Sequence, residues 1–339
     1  MESHNASRVI VITGASAGLG RAVAQAFARS EPARIGLIAR GKDGLEGAKA
    51  EVERFGGSAL ILPIDVADAE AVEGAAEKIE AELGPIDVWV NDAMTSVFSP
   101  VKEMTAAEFK RVTEVNYLGF VNGTLAALKR MLPRDRGTII QVGSALAYRG
   151  IPLQAAYCAS KHAIQGFMDS LRSELIHDGS NVWVTMVQMP AMNTPQFDWV
   201  KSRLVKKAQP VPPIYQPEVG AKAVVYASHH RRRELFVGMP TVKAIIGNRL
   251  FPGILDRYLA KTAYEGQQTA DPEDPARPFN LYEPLVGDRG AHGRFDRQSR
   301  KFSPQLWTDL HRDALIAVTL CGVVAVGLSF LTRTLARCR

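Results

Sequence analysis

Short apolar runs alternate with longer segments of helical periodicity from Arg8 to about Tyr264. The apolar runs predict strands at Val9–Thr13, Ile35–Ala39, Ala59–Ile64, Ile86–Asn91, Thr138–Gly143, Val182–Gln188 and Leu235–Val237. The periodic segments predict helices at Gly18–Ser30, Leu45–Phe55, Glu70–Glu82, Ala106–Met131, Ala155–His177, Pro217–Ser228 and Val242–Leu259. Because the strands are continuously apolar, they indicate a parallel sheet covered on both faces. We predict an α/β fold, a Rossmann-type doubly wound parallel sheet of about seven strands.

The composition of the chain changes after Gln267. Residues 270–305 are rich in Pro, Gly, Asp and Arg, with scattered aromatic residues. Such a composition is typical of an extended segment that buries no core of its own. We therefore predict one large domain over 1–266 and an extended Pro/Gly/charged linker over 267–312.

An apolar run near the C-terminus predicts a membrane anchor. Residues 314–332 contain no charged side chain, and Asp313 and Arg333 flank them. At 1.5 Å per residue a helix of this length spans about 28 Å, close to the hydrocarbon thickness of a bilayer. A buried helix that packs back on the domain is the alternative. We expect a C-terminal hydrophobic helix over 313–339, a tail anchor, although basic residues on both sides leave its orientation open.

Composition and charge argue against a nucleic-acid-binding protein, a metal-binding protein and a disulfide-rich protein. The chain has 339 residues, of which 46% are hydrophobic and 22% charged, enough for one large core. Its formal charge is +6, but the basic clusters Lys201–Lys207 and His229–Arg233 are short and resemble a solvated surface. We expect no nucleic-acid partner. The three cysteines have no CxxC or Cys/His neighbour, so we also expect no metal site and no disulfide framework.

A glycine-rich turn follows the first predicted strand and opens the first predicted helix. It runs Thr13-Gly14-Ala15-Ser16-Ala17-Gly18-Leu19-Gly20. Free backbone N–H groups and the helix dipole at such a point favour a pyrophosphate. Gly14 would allow the sharp turn, Gly18 the close approach of phosphate, and Gly20 tight packing of helix on strand. With Ser16 and Leu19, these residues form the predicted dinucleotide-binding turn.

Residues at the ends of the second and third strands bear on the choice of dinucleotide. An acidic residue after the second strand would match the 2′-hydroxyl of NAD, but Arg40 stands there, with Lys42 nearby. Because a guanidinium pairs bidentately with phosphate, NADP(H) is favoured over NAD(H). Asp65 and Val66 follow the third strand, where Asp65 would accept from the adenine amino group or cap the next helix.

Tyr157 and Lys161 lie four residues apart in Tyr157-Cys158-Ala159-Ser160-Lys161. Side chains at i and i+4 project from one face of a helix and come close together. A phenol beside an ammonium group is suited to proton transfer. With the glycine turn upstream, this pair predicts a hydride-transfer enzyme.

Over residues 8–265 the chain resembles the short-chain dehydrogenase/reductase family. The resemblance rests on motifs in the expected order: Thr13-Gly14-x-x-x-Gly18-x-Gly20, Asp65, Asn116, Ser144 and Tyr157-x-x-x-Lys161. Ser144 precedes Tyr157 by thirteen residues, the spacing usual in that family.

The resemblance implies a catalytic tetrad of Asn116, Ser144, Tyr157 and Lys161. Tyr157 would be the general acid or base, its pKa lowered by Lys161 and by the positive nicotinamide ring. Lys161 would also bind the cofactor ribose. Ser144 would donate to the substrate oxygen, and Asn116 would anchor a water-mediated proton relay. The family also forms dimers or tetramers through helices equivalent to Ala106–Met131 and Ala155–His177, so a homo-oligomer is implied.

Two stretches depart from the pattern of that family. The family commonly has Asn-Asn-Ala-Gly after the fourth strand, where this chain has Asn91-Asp92-Ala93-Met94. The family commonly has Pro-Gly after the sixth strand, where this chain has Pro190-Ala191 and then Thr194. Because no chemical group is lost, we expect Asn91, Ala93, Pro190 and Thr194 to contribute to the cofactor site. Altered geometry and rate are the expected consequences.

The substrate is inferred from an apolar region after Pro190. It contains Met189, Met192, Phe197, Trp199 and Val200. Beside a membrane anchor, this predicts a lipophilic ketone, aldehyde or alcohol as substrate and membrane lipid as partner. The segment 242–255 would lie against the bilayer, and cofactor supply favours a catalytic domain that faces the cytoplasm.

Two other activities remain compatible with the same fold. One is a membrane-tethered dinucleotide sensor or scaffold without turnover. The other is a dehydratase or isomerase, which would form product without net consumption of cofactor.

Overall fold

A parallel sheet of seven strands runs through the centre of the computed structural model, which describes residues 7–316. The strands are β1 (Arg8–Thr13), β2 (Ala33–Ala39), β3 (Ser58–Pro63), β4 (Ile86–Asn91), β5 (Thr138–Ser144), β6 (Trp183–Met189) and β7 (Glu234–Phe236). Their order is β7-β6-β5-β4-β1-β2-β3, and every neighbouring pair is parallel. The predicted Rossmann-type fold is confirmed. The strand order reverses between β1 and β4, the place where such sheets bind ligands.

Helices cover both faces of this sheet. They are α1 (Gly18–Ser30), α2 (Lys42–Arg54), α3 (Ala69–Leu83), α4 (Ala106–Thr113), α5 (Gly119–Met131), α6 (Ala155–His177), α7 (Pro217–Ala227), α8 (Met239–Leu250), α9 (Pro252–Gly266) and α10 (Pro304–Leu310). Successive strand residues point to opposite faces, so Ile10 and Ile12 pack with α1, α2 and α7, whereas Val9 and Val11 pack with α3, α5 and α6. Burial on both faces explains why the strands lack polar alternation.

Two predicted helices are each divided in the structure. The segment predicted as Ala106–Met131 forms α4 and α5, joined by a π-helical turn at Glu114–Leu118. The segment predicted as Val242–Leu259 forms α8 and α9. Phe251 lies between them with φ −139° and ψ 54°, because Pro252 disfavours helical backbone at the residue before it.

The segment predicted as a linker, 267–312, lies across the domain. Leu281, Phe295 and Leu306 are 0%, 3% and 3% exposed, and each fills a different apolar cluster of the domain. Short strands add to these contacts: Gln268–Pro272 pairs with Lys206–Ala208, and Ser299–Arg300 pairs with Ile214–Tyr215. A further short pair joins Val97–Phe98 to Lys201–Ser202. The segment builds no core of its own, as its composition indicates, but it completes the core of the domain.

No helix within residues 7–316 is both long enough and apolar enough to cross a membrane. From residue 317 onward, the predicted anchor at 313–339 lies outside the described residues. It stays a prediction.

Candidate active site

One large pocket lies at the carboxyl ends of the strands, where the strand order reverses. Its volume is about 610 Å³. Most of the predicted site residues line it: Gly14, Ser16, Gly18, Leu19, Arg40, Asp65, Val66, Ala93, Ser144, Tyr157, Lys161, Pro190 and Thr194. Gly20, Asn91 and Asn116 are not among its lining residues. Gly14 and Tyr157 are 143 residues apart in the sequence. The structure nevertheless brings the glycine turn and the Tyr–Lys pair to the same cavity.

The glycine turn between β1 and α1 leaves no space for larger residues. Gly14 has a φ of 76°, and a Cβ there would lie 2.8 Å from the Cα of Ala93. A Cβ on Gly20 would lie 2.5 Å from the carbonyl oxygen of Gly14. No side chain caps the N-terminus of α1, and its first turn holds no acidic residue. The turn thus presents backbone N–H groups and the positive end of a helix dipole to the pocket, which suits a phosphate.

Tyr157 lies in the first turn of α6, close to the end of β5. Ser144, the last residue of β5, hydrogen-bonds with the Tyr157 side chain and also accepts from the N–H of Leu146 at 3.1 Å. Burial raises the pKa of Tyr157 above its ordinary value, and the Ser144 hydrogen bond only partly opposes this. In the protein alone, burial keeps the phenol protonated at neutral pH. The predicted lowering of this pKa by Lys161 and the positive nicotinamide ring stays a prediction.

Lys161 is a buried cation with a carboxyl group nearby. Its side chain is 2% exposed, its Nζ donates to the carbonyl of Val142 at 2.7 Å, and the Phe120 ring centroid lies 4.5 Å from Nζ. Burial lowers the pKa of Lys161, and the charge of Asp92 opposes that effect. Burial likewise raises the pKa of Asp92, which Lys161 and the Gly20 N–H oppose. The two groups therefore stabilise each other's charged forms.

Asn116 lies in the π-helical turn and is completely buried. Its Oδ1 accepts from the N–H of Thr95 at 2.8 Å, and its Nδ2 donates to the Thr95 carbonyl at 2.9 Å and to Ser160 Oγ at 3.2 Å. These bonds tie the loop after β4 to α6, one residue before Lys161. The Asn116 side chain thus positions this loop against α6. The predicted proton relay stays a prediction.

Asn91 is also completely buried, away from the pocket wall. Its Oδ1 accepts from Trp89 Nε1 at 2.9 Å, and its Nδ2 donates to Thr124 Oγ1 at 3.2 Å. The side chain therefore fastens β4 to α5. Its neighbours Asp92, Ala93 and Met94 line the pocket instead.

Arg40 and Asp65 line the pocket at the ends of β2 and β3, and both already have partners. Arg40 donates to the backbone carbonyls of Asn280 and Tyr282. Asp65 forms an ion pair with Arg111 and accepts from the Ala67 N–H at 3.0 Å. A guanidinium has five N–H donors, so two carbonyl partners leave Arg40 donors for a phosphate. Lys42 is exposed and is not among the lining residues.

Comparison with known proteins agrees with this site. The short chain dehydrogenase family matches residues 8–203. The chain belongs to the short-chain dehydrogenase/reductase family. It is accordingly an oxidoreductase that acts on CH–OH groups or the corresponding carbonyls, and members of this family use NAD(P)(H).

Individual relatives extend the comparison beyond the family match. The chain is 32% identical to an uncharacterised oxidoreductase of Bacillus subtilis, YxnA, over 94% of this chain and 89% of the relative. It is 30% identical to a fatty acyl-CoA reductase of Acinetobacter baylyi, over 77% and 88%. An alcohol dehydrogenase from Thermococcus sibiricus, complexed with 5-hydroxy-NADP, is similar in structure with 27% identity and a TM-score of 0.57, over 68% of this chain and 96% of that one.

The pocket that Tyr157 lines also has apolar lining residues after β6. Of the predicted apolar residues after β6, Met189, Met192, Phe197 and Trp199 line the pocket. Val200 is buried in a separate cluster with Phe98 and Phe197. The region thus lines the cavity and also packs the core.

Two parts of the wall were missed in the sequence. One is a face of α9, with Tyr258, Leu259, Thr262, Ala263 and Gly266. Their spacing of one and four residues is a helical signal that would have revealed this face had the predicted helix extended past Leu259. The other is the stretch 280–289, with Asn280, Pro284, Leu285, Gly287 and Arg289. This stretch has no periodicity that sequence analysis could detect.

Proposed function

We propose that this protein is an NADP(H)-dependent oxidoreductase that interconverts a lipophilic ketone or aldehyde and its alcohol. The main support is that Ser144, Tyr157 and Lys161 line the same cavity as the glycine turn. When bound, the dinucleotide supplies or accepts the hydride. The residues around it bind and orient the reactants and move the proton.

The proton chemistry follows from the three side chains. In reduction, the Tyr157 O–H donates its proton to the substrate oxygen as negative charge develops there. The Ser144 hydroxyl donates a hydrogen bond to the same oxygen, which stabilises that charge. Lys161, held by the Val142 carbonyl, places a positive charge beside the phenol and stabilises the phenolate that remains. The Asn116 hydrogen bonds keep this part of α6 in place.

The preference for NADP(H) rests on Arg40. No acidic residue ends β2, and Asp65 after β3 is paired with Arg111, so neither offers a free carboxylate for a ribose 2′-hydroxyl. Burial lowers the pKa of Arg40, with Arg111 adding to this and Asp65 and Glu283 opposing it. A guanidinium remains charged throughout the physiological range. A 2′-phosphate would gain a charge-assisted hydrogen bond from it.

A lipophilic substrate is supported by the apolar wall and by one relative. Met189, Phe197, Trp199 and Leu259 line the same cavity as Tyr157. The Acinetobacter baylyi relative is named for fatty acyl-CoA, and a relative from Danio rerio, 35% identical over 64% of this chain and 67% of its own length, is named 3-dehydrosphinganine reductase. An apolar wall favours substrates through burial of hydrocarbon, about 0.8 kcal/mol for each CH₂ group.

The assay that tests this proposal follows cofactor oxidation over a series of aldehydes and ketones of increasing chain length. We expect kcat/KM to rise with chain length and NADPH to be preferred to NADH. Arg40→Ser should raise the KM for NADPH about 10–100-fold, the cost of a hydrogen bond to a charged group, and leave the KM for NADH nearly unchanged.

Lys42→Ser is the matched control, because Lys42 is a nearby exposed cation outside the pocket wall. Equal losses for NADPH and NADH in Arg40→Ser would show that Arg40 supports the fold and does not select the cofactor. If no carbonyl is reduced although NADPH binds and raises the melting temperature, the result would support the alternative of a dinucleotide sensor without turnover. Product without net cofactor consumption would indicate a dehydratase or isomerase.

We also propose that residues 313–339 anchor the protein in a membrane, with the catalytic domain facing the cytoplasm. The support is the uncharged run 314–332 and the exposed apolar side chains of Leu250, Phe251 and Ile254 at the junction of α8 and α9. A substrate dissolved in lipid would then reach a cavity that α9 also lines.

Liposome flotation of the full-length protein tests the anchor. Val324→Lys with Val326→Lys should abolish flotation, because each lysine at the centre of a span costs about 2.5–3.5 kcal/mol of insertion energy. The control, Thr334→Lys with Ala336→Lys, adds the same two charges beyond the apolar run and should still float. Flotation of both doubly substituted proteins would exclude a spanning helix.

A further inference from the structure

A segment of the predicted linker lines the pocket beside Arg40. We define the strap as residues 280–290. The buried side chain of Leu281 holds the strap near its start, and polar contacts hold it near Gly290. Five residues of the strap line the cavity: Asn280, Pro284, Leu285, Gly287 and Arg289. Arg40 and Asp65, the residues expected at the adenosine end of the dinucleotide, line the same cavity.

The first end of the strap is held by two arginines, of which Arg40 belongs to the predicted cofactor site. Arg40 donates to the carbonyls of Asn280 and Tyr282, and Arg111 donates through Nε to the carbonyl of Leu281 at 3.1 Å. Arg111 is also the partner of Asp65. Arg40 and the ion-pair partner of Asp65 thus both bind the strap.

The second end is held by ion pairs to a buried arginine. Arg21 on α1 is 3% exposed and pairs with Asp288 of the strap and with Glu51 on α2, the latter at 2.8 Å. The N–H of Gly287 donates to Asp43 Oδ2 at 2.7 Å. Since charged partners give the stronger hydrogen bonds, these contacts are the main tether of the strap to α1 and α2.

The strap also contacts the glycine turn itself. The N–H of Gly18, the first residue of α1, donates to the carbonyl of Gly290 at 3.0 Å. This N–H belongs to the set that a helix N-terminus offers to a phosphate. A pyrophosphate at the turn and the Gly290 carbonyl therefore compete for the same donor.

We propose that the strap is the outer wall of the cofactor site and has to leave the glycine turn before the dinucleotide can bind or dissociate. This inference rests on the proposed function, because it assumes that the dinucleotide occupies this cavity. The Gly18–Gly290 hydrogen bond breaks when pyrophosphate binds. The Arg21–Asp288 pair then holds the strap across the adenosine end and slows release.

A reversible covalent lock tests the proposal. A Cβ built on Gly41 would lie 3.6 Å from the Cβ of Pro284, within the range that a disulfide requires, and Gly41 has a φ of −82°, which other residues adopt. The variant combines Gly41→Cys and Pro284→Cys in full-length protein that also carries Cys321→Ser and Cys338→Ser. Mass spectrometry of peptides establishes the disulfide, and stopped-flow fluorescence measures NADPH association and dissociation.

We expect NADPH to associate and dissociate at least about tenfold more slowly in the oxidised variant than in the same variant after reduction, because opening of the strap then limits both steps. Equal rates before and after reduction would overturn the proposal. Failure of the two cysteines to form a disulfide would also overturn it, since the strap would not lie against Gly41. Absence of NADPH binding in wild-type protein would instead refute the proposed function, and this inference with it.

A second variant loosens the strap instead of locking it. Asp288→Asn should speed NADPH release about tenfold, the typical effect of losing a charge-assisted hydrogen bond. Asp169→Asn is the control, because Asp169 also pairs with arginines and its side chain is 51% exposed against 42% for Asp288, but its partners Arg172 and Arg233 belong neither to the strap nor to α1 or α2. Equal rates of NADPH release from both variants would contradict the proposal that the Arg21–Asp288 pair tethers the strap.

Discussion

Tyr157→Phe is expected to lower kcat/KM for carbonyl reduction about 10²–10⁴-fold, the usual contribution of a positioned general acid. The substitution removes one oxygen and keeps the ring, so the affinity for NADPH should change little. Burial raises the pKa of Tyr157, so the phenol is protonated at neutral pH. Reduction should therefore vary little with pH near neutrality, whereas alcohol oxidation, which needs the phenolate, should increase as the pH rises.

Tyr148→Phe is the matched control for this experiment. The Tyr148 hydroxyl donates to Glu234 at 2.6 Å, and burial raises the pKa of Tyr148 as well, but this residue is not among those that line the pocket. Its substitution should lower the melting temperature slightly and leave kcat/KM near the wild-type value. Equal activity in Tyr157→Phe and wild type would remove Tyr157 from the mechanism, and a rate of oxidation that falls with rising pH would contradict its role as base.

The core of the fold could be predicted because its signals are local. The run Val9–Thr13, the glycines at 14, 18 and 20, and the pair Tyr157 and Lys161 each lie within a short stretch. A parallel sheet then places all carboxyl ends of its strands at one edge, which is why residues far apart in sequence share one cavity. Nothing beyond periodicity and strand order was needed for that part.

The contacts of the segment 267–312 could not be predicted because they are individual and long-range. Leu281, Phe295 and Leu306 are separated by 14 and 11 residues, too far apart to be recognised in the sequence as one face of a helix or strand. Each fills a gap in a different cluster. Composition alone indicates that this segment builds no core, but it does not show that the segment completes another one. Arg40 illustrates the same limit, because its backbone partners lie 240 and 242 residues away.

The side-chain environment of the site also could not be predicted from local sequence signals. Asp92 was noticed only as a departure from the family pattern, yet it lines the pocket and interacts with Lys161. Asn91 and Asn116 resemble site residues in sequence, but both are completely buried and bind neighbouring elements. Whether an amide that matches a family motif faces a cavity or the core depends on tertiary packing.

Lys161→Met is expected to reduce both activity and stability, and the loss of stability should depend on pH. Methionine keeps the approximate length of the side chain and removes its charge beside the phenol, so kcat/KM should fall about 10²–10³-fold. The substitution also leaves the Asp92 carboxyl buried without its neighbouring cation. At pH 8 we expect the free energy of unfolding to fall by about 3 kcal/mol, the lower end of the cost of an unpaired buried charge.

The sign of this pH dependence follows from Asp92. Burial raises the pKa of Asp92 in the folded state above its unfolded value. Its contribution to stability is therefore complete at a pH below the unfolded pKa and is lost as the pH rises through the folded pKa. Because Lys161 opposes the effect of burial, its removal raises the folded pKa further and enlarges the loss. Denaturant unfolding at several pH values should show the stability of Lys161→Met falling relative to that of wild type as the pH rises from 4 to 8.

Asp92→Asn in the Lys161→Met background separates the two effects. The amide cannot ionise, so the double variant should recover most of the stability that Lys161→Met loses at pH 8 while its activity remains low. The difference between the single and double variants measures the interaction of the two groups. Unfolding curves of Lys161→Met that run parallel to those of wild type at every pH would show that Asp92 and Lys161 do not stabilise each other. In that case the departure at Asp92 from the family pattern would have no electrostatic role in this site.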